Sequence, residues 1–216
     1  MPTITDLSGP AGRLEAIVDE PAAPRAAVVF AHPHPQFGGT MHTKAVYQGT
    51  KGLTRIGCAV LRFNFRGVGG SEGTFDRGDG EMEDFRAALD YMSARHPGVP
   101  LWAAGFSFGA WVAMETGAAD DRVSVLIGIA PPVATSVSGM DYQFPATRAS
   151  TKPKFFVQGE ADEVCPLEAM WAFYGALQEP KELVVIDAAD HLFDGKTREV
   201  GEALEDLLGD FEEPGS

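Results

Sequence analysis

The chain reads as an α/β protein with a doubly wound, mostly parallel sheet and helices on both faces. Three observations lead there. The run Ala26–Ala31 is short and apolar throughout, as a strand buried on both faces is. The stretch Gly80–Arg95 places Met82, Phe85, Leu89 and Met92 at helical spacing. Segments of these two kinds alternate along the chain, the signature of βαβ units.

In order, Arg13–Asp19 alternates through Leu14, Ala16 and Val18 and predicts a strand. A turn at Pro21–Pro24 precedes the buried strand Ala26–Ala31, which runs into a loop at His32–Thr40. Thr43–Ile56 is expected as a helix closed by Gly57, Cys58–Phe65 as a strand, and Arg66–Gly73 as a glycine-rich loop. The helix Gly80–Arg95 stops at His96-Pro97-Gly98, and Val99–Ala104 is the next strand. A helix over Ala110–Thr116 is followed by the strand Val123–Ala130, stopped by Pro131-Pro132. Pro153–Gly159 repeats the apolar strand pattern, Leu167–Leu177 is helical, Glu182–Ile186 is a strand, and Lys196–Phe211 is an amphipathic closing helix. No repeat or linker interrupts this order, so one domain over 1–216 is expected, with Pro214–Ser216 frayed.

Composition narrows the function classes. The net charge is −14, from 31 acidic against 17 basic residues, which argues against nucleic acid or an anionic membrane as partner. Met1–Gly12 has neither a basic start nor an apolar core, and no apolar run approaches a membrane span. Cys58 and Cys165 are the only cysteines, which suggests neither a disulfide framework nor a zinc site. A cytoplasmic location is expected.

The most informative stretch is Leu101–Trp111. An apolar run ends at Gly105, Ser107 stands between Gly105 and Gly109, and a helical segment follows. In such a strand–turn–helix the flanking glycines let strand and helix approach without a Cβ clash. The serine is pushed out at the top of the sheet. The Phe108 N–H falls at the helix N-terminus, where it can stabilise an oxyanion. The G-x-S-x-G pattern alone is weak, and Gly69–Gly73 matches it too, but no helical pattern follows Ser71 at once. Context selects Ser107.

In open α/β sheets the carboxyl ends of strands carry the ligand site. The polar residues there are His32 and His34, Asn64 and Arg66, Ser107, Glu160 and Asp162, and Asp190 and His191. A serine hydroxyl needs a base, and the base needs an orienting acid. His191 follows the last strand and Asp162 the one before it, giving the chain order Ser, Asp, His. Glu160 and Asp190 remain alternative acids.

The sequence resembles the α/β-hydrolase superfamily, and within it the small capless serine hydrolases with an H-P-H-P-x-x-G-G-T-M loop. The residues that carry this likeness are His32–Met41, Phe65–Gly73, the turn at Ser107, Gly159–Pro166 and Asp190–Phe193. The resemblance implies a carboxylester hydrolase working without metal or organic cofactor. It also places the second oxyanion donor two residues after the first loop histidine, on the His34 N–H. Pro33 and Pro35 have no N–H to offer, and Gln36 and Phe37 remain fallbacks. The triad Ser107, Asp162 and His191 would then cleave a small ester, a thioester or an amide. His32 is expected to brace its loop, Arg66 to bond backbone carbonyls, and Cys165 to fill space. The segment Pro131–Thr151 is too short for a multi-helix cap, so a loop or short helix should carry Met140, Tyr142 and Phe144 toward the cleft. Two competing readings are a metallohydrolase on His32, His34 and His42 and a catalytically silent scaffold that binds a ligand or partner.

Overall fold

A computed structural model describes residues 3–133 and 139–213. The expectation for Pro214–Ser216 lies outside the described residues. In chain order the elements are β1 (Thr3–Ile4), β2 (Ser8–Gly9), β3 (Gly12–Arg13), β4 (Ala16–Asp19), β5 (Ala27–Ala31), α1 (Lys44–Arg55), β6 (Ala59–Phe63), α2 (Asp79–Arg95), β7 (Leu101–Phe106), α3 (Phe108–Ala119), β8 (Val123–Ile129), α4 (Pro145–Ala149), β9 (Lys154–Gly159), α5 (Leu167–Gly175), β10 (Lys181–Ile186) and α6 (Thr197–Leu208).

Eight strands form one sheet in the order β1-β4-β6-β5-β7-β8-β9-β10. β4 pairs antiparallel with both β1 and β6, and every pair from β6 through to β10 is parallel. The alternation read over Arg13–Asp19 is split between two elements. Arg13 pairs with Ser8 in the small β2–β3 hairpin, and the sheet strand starts at Ala16. The Gly9-Pro10-Ala11-Gly12 turn closes that hairpin and takes Arg13 out of the sheet.

The inner parallel strands β5, β6, β7 and β9 are buried on both faces, and the side chains of β5 divide by the period of two. Ala27, Val29 and Ala31 of β5 join one core, with α2, α3 and α5. Val28 and Phe30 join the other, with α1 and α6. Leaving β5, the chain turns through α1 to β6 on one side, then returns through α2 to β7 on the other. The carboxyl ends of β5 and β7 therefore border the crevice where the winding direction reverses. The loop His32–Thr40 leaves one of these ends and Ser107 the other.

Between β8 and β9, the described residues hold one five-residue helix, α4. Trp111 Nε1 donates to the Gln143 carbonyl at 2.8 Å, and Glu115 accepts from the Ala146 and Thr147 N–H groups, so α3 pins this segment. Tyr142 reaches the cleft, but Phe144 packs on Phe173 at 4.9 Å and Met140 joins the core. Of the three side chains expected to face the cleft, two seal the core instead, because α4 turns Phe144 under itself onto α5. Among the described residues no helix is long and apolar enough to cross a membrane.

The α1–α6 contact depends on glycine. A Cβ on Gly52 would lie 2.2 Å from the Gly201 carbonyl oxygen, and one on Gly201 would lie 2.5 Å from that of Gln48. Gly52→Ala should therefore lower stability by about 1–3 kcal/mol, the usual range for overpacking. Gly175→Ala, whose added carbon meets nothing within 4 Å, should leave stability unchanged or slightly higher. Urea midpoints of the two variants measure the difference.

Candidate active site

Ser107 links β7 to α3 with φ 54° and ψ −120°, a positive φ that costs a non-glycine residue about 1–3 kcal/mol. Several contacts hold it there. Ser107 N–H donates to the Ile129 carbonyl at 2.8 Å, and the Ser107 carbonyl accepts from Ala110 N–H at 2.8 Å. A Cβ on Gly105 would sit 2.1 Å from the Gly109 carbonyl oxygen, and one on Gly109 would sit 2.4 Å from that of His32. Both glycines are thus required sterically, Gly105 for the strand–helix approach and Gly109 for the approach of α3 to the end of β5.

Ser107 Oγ lies 2.9 Å from His191 Nε2, and His191 Nδ1 lies 2.8 Å from Asp162 Oδ2. The Asp162 carboxylate is buried and fully engaged. Its Oδ1 accepts from the N–H groups of Val164 at 2.9 Å and Cys165 at 2.7 Å, and its Oδ2 also accepts from Gln158 Nε2 at 3.0 Å. The loops carrying Asp162 and His191 are tied together by Glu160 N–H to the Ile186 carbonyl and Ala161 N–H to that of Ala189. Gly159 allows the approach, since a Cβ there would lie 2.5 Å from the Ala189 carbonyl oxygen. The alternative acids are elsewhere: exposed Glu160 accepts from Ala188 N–H, and exposed Asp190 from Asp194 N–H.

The loop after β5 carries a short 3-10 turn at Pro35–Phe37. Its N–H groups are almost all committed. Gln36 N–H donates to His34 Nδ1, Phe37 and Gly39 N–H to the His34 carbonyl, and Gly38 N–H to that of Pro35. With Pro33 and Pro35 lacking the group, the His34 N–H is left without an acceptor among the described residues, as is the Phe108 N–H. Gln36 and Phe37, the fallback donors, are already spent. The His34 ring packs between Phe37, Phe75 and Phe108, and its burial holds its basicity below that of an ordinary histidine.

Behind this loop, fully buried His32 bridges two strand ends. Its Nδ1 donates to the Pro33 carbonyl at 2.6 Å and its Nε2 accepts from Phe65 N–H at 3.1 Å. Both ring nitrogens are occupied, which removes His32 from any metal set with His34 and exposed His42. Ser71 is a strut: its Oγ donates to the Asn64 carbonyl at 2.6 Å and accepts from Glu15 N–H at 2.9 Å. Arg66 departs from expectation. Instead of backbone carbonyls it takes buried Asp84 of α2 through Nε at 3.0 Å and Nη2 at 2.8 Å. A guanidinium fork matches a carboxylate in two bonds, which a set of loop carbonyls does not offer. Gln158 is not singled out by the sequence reading, although an amide directly after the apolar Phe155-Phe156-Val157 of β9 is its visible signal.

A cavity of about 370 Å³ opens over Ser107 and His191. Its walls include Phe37, Phe108, Tyr142, Val164 and Leu192, and no Asp, Glu, Lys or Arg is among the described residues that line it.

Comparison with known proteins agrees with this architecture. Residues 22–146 match the family described as serine aminopeptidase, S33. An uncharacterized protein of Rickettsia prowazekii is 37% identical over 208 residues, spanning 93% of this chain and 86% of that one. An alpha-beta serine hydrolase homologue from Coxiella burnetii superposes with a TM-score of 0.87 at 36% identity, covering 96% of this chain and 97% of that chain. A serine hydrolase described as lacking a lid, from Xanthomonas campestris, gives 0.83 at 36% identity over 95% and 92%.

The histidine brace has a consequence for stability. Burial lowers the His32 pKa from 6.5 to about 4. Above the ordinary value both folded and unfolded chains hold it neutral. Between the two values only the unfolded chain takes up the proton, so stability falls as pH drops through this window, by up to about 3 kcal/mol. Urea midpoints measured from pH 7 to pH 5 should decline. In His32→Gln the midpoint should be lower at pH 7 but its slope against pH shallower.

Proposed function

The chain belongs to the serine aminopeptidase S33 family of α/β hydrolases, and from that premise we propose that it is a serine carboxylesterase acting on small, uncharged esters. One observation carries the reading. A strained serine, a histidine and a buried carboxylate stand in a chain of 2.9 and 2.8 Å contacts at the floor of an apolar cavity.

In this reading His191 Nε2 accepts the Ser107 proton as Oγ attacks the ester carbonyl. Asp162, held by two N–H groups and Gln158, keeps the proton on Nδ1 and so keeps Nε2 an acceptor. The oxyanion forms against the Phe108 and His34 N–H groups, which have no other acceptor among the described residues to give up. Proline on either side of His34 holds that donor in place before substrate arrives. The imidazolium returns its proton to the leaving alcohol, and water then cleaves the acyl-enzyme by the same steps.

The cavity favours an ester over a peptide with a free amino terminus. An ammonium group buried without a carboxylate partner is costly, and the described lining supplies none. The short α4 segment leaves the cleft open, so a long acyl chain would remain largely in water, and each buried CH₂ is worth only about 0.8 kcal/mol.

Two measurements test the proposal. Ser107→Ala should lower ester hydrolysis by at least about a thousandfold and abolish fluorophosphonate labelling, whereas Ser71→Ala should still label. Across p-nitrophenyl esters, kcat/KM should be highest for acyl groups of about two to four carbons, and aminoacyl anilides should not be turned over. Labelling that survives in Ser107→Ala, or a preference for aminoacyl anilides, would overturn the reading.

A further inference from the structure

The acid arm of the site contains a third ligating side chain that the proposed reaction does not use. Cys165 is a free, buried thiol three residues after Asp162. Its Sγ, a carboxylate oxygen of Asp162 and a ring nitrogen of His191 all lie within 4.8 Å of one another. Among the described residues this is the group of three such side chains that could share one ion.

The set has a definite chemical preference. Thiolate, imidazole and carboxylate together suit zinc and its thiophilic relatives, whereas magnesium demands an octahedron of oxygens. Ligand atoms around a tetrahedral zinc stand roughly 3–4 Å apart, and here they lie within 4.8 Å of one another. The side chains need small rotations, and the Asp162–His191 contact of 2.8 Å must open. Asp162 Oδ1 can keep its bonds from the Val164 and Cys165 N–H groups.

We propose that a thiophilic divalent cation, Zn²⁺ or Cd²⁺, binds between Asp162, Cys165 and His191 Nδ1, with water as the fourth ligand, and that its binding and hydrolysis exclude each other. On binding, bonds form from the metal to Sγ, Nδ1 and Oδ2. The thiol proton leaves to solvent, and the imidazole proton moves from Nδ1 to Nε2 through solvent. Nothing is oxidised or reduced. The exclusion follows from the second proton. With Nδ1 on the metal, Nε2 carries hydrogen and faces Ser107 as a donor, so the serine loses the acceptor of its proton. This is inhibition by a change of tautomer, with Ser107 itself untouched. The effect on activity rests on the esterase reading, but the metal site does not.

Two experiments separate these. In chelator-free buffer, Zn²⁺ should progressively inhibit hydrolysis of p-nitrophenyl butyrate, EDTA should restore it, and Mg²⁺ should have no effect. Each variant is compared with its own metal-free rate. Cys165→Ala should raise the half-inhibiting Zn²⁺ concentration at least about tenfold, since even an outer partner of a ligand is worth about ten- to a hundredfold in affinity. Independently, Cd²⁺ added to Ser107→Ala should produce the ultraviolet charge-transfer band of one cadmium–thiolate bond. The band should persist when Cys58→Ala is added and vanish with Cys165→Ala or Cys165→Ser, either of which serves if the other fails to fold. Absence of the band in Ser107→Ala, its dependence on Cys58, or equal Zn²⁺ sensitivity with and without the Cys165 thiol would overturn the proposal. A Cys165-dependent band in a chain that hydrolyses no ester would refute the esterase reading and leave the metal site standing.

Discussion

The positive φ of Ser107 is the constraint on which the rest of the site is built. A serine does not hold φ 54° unaided, so neighbouring elements must enforce it. β8 does so through the Ile129 carbonyl, and α3 through the bond that Ala110 returns to Ser107. The enforcement works only if α3 lies almost against the end of β5, which is why Gly109 faces the carbonyls of Ala31 and His32 with no room for a side chain. The same approach brings the Phe108 N–H beside the loop that offers the His34 N–H. In the proposed mechanism, nucleophile placement and oxyanion binding are thus one geometric condition.

Several polar groups behind the site are buried or half-buried and paired, which keeps this condition rigid. His32 joins Pro33 to Phe65, Asn64 Oδ1 accepts from Met41 N–H, and Asn64 Nδ2 donates to Glu15. Arg66 and Asp84 fasten the next loop to α2, and the carboxylate raises the already high basicity of the guanidinium. Breaking one partner of such a buried pair leaves the other desolvated and unpaired, so each contact is worth more as a positioning device than as net stability. On the acid side, Gln158 performs the same service for Asp162 and the Cys165 carbonyl together.

Much of this was legible in the sequence, and the reasons differ by residue. The central strands β5 and β7 announced themselves because both faces are buried, leaving unbroken apolar runs. Gly105 and Gly109 were legible because a tight strand–helix turn has few sequence solutions. Asp162 could not be separated from Glu160 and Asp190 by pattern, since all three follow a strand. Burial and the approach of the two loops at Gly159 distinguish them in space. The Arg66 partner was invisible because Asp84 joins it only when α2 packs against the sheet. Phe144 and Met140 were misplaced for a related reason: an apolar residue after a strand can face either the cleft or the core, and the choice is made by α4 and its anchor at Glu115. The commitment of the Gln36 and Phe37 N–H groups is likewise a property of the folded 3-10 turn.

Charge and cavity together bear on turnover. Ester hydrolysis turns an uncharged substrate into a carboxylate, so binding and release meet different fields. The described lining is apolar and offers a carboxylate no lysine or arginine. The whole chain carries −14, which disfavours any anion in the cleft at low ionic strength and less so once salt shortens the screening length to about 10 Å. An uncharged ester enters without opposing either term. In the proposed reaction the acid product, once free of Ser107, would be repelled by the net negative charge and held by no side-chain cation in the described lining. In the proposed cycle the electrostatics therefore act on the exit of product and leave substrate entry to the apolar walls.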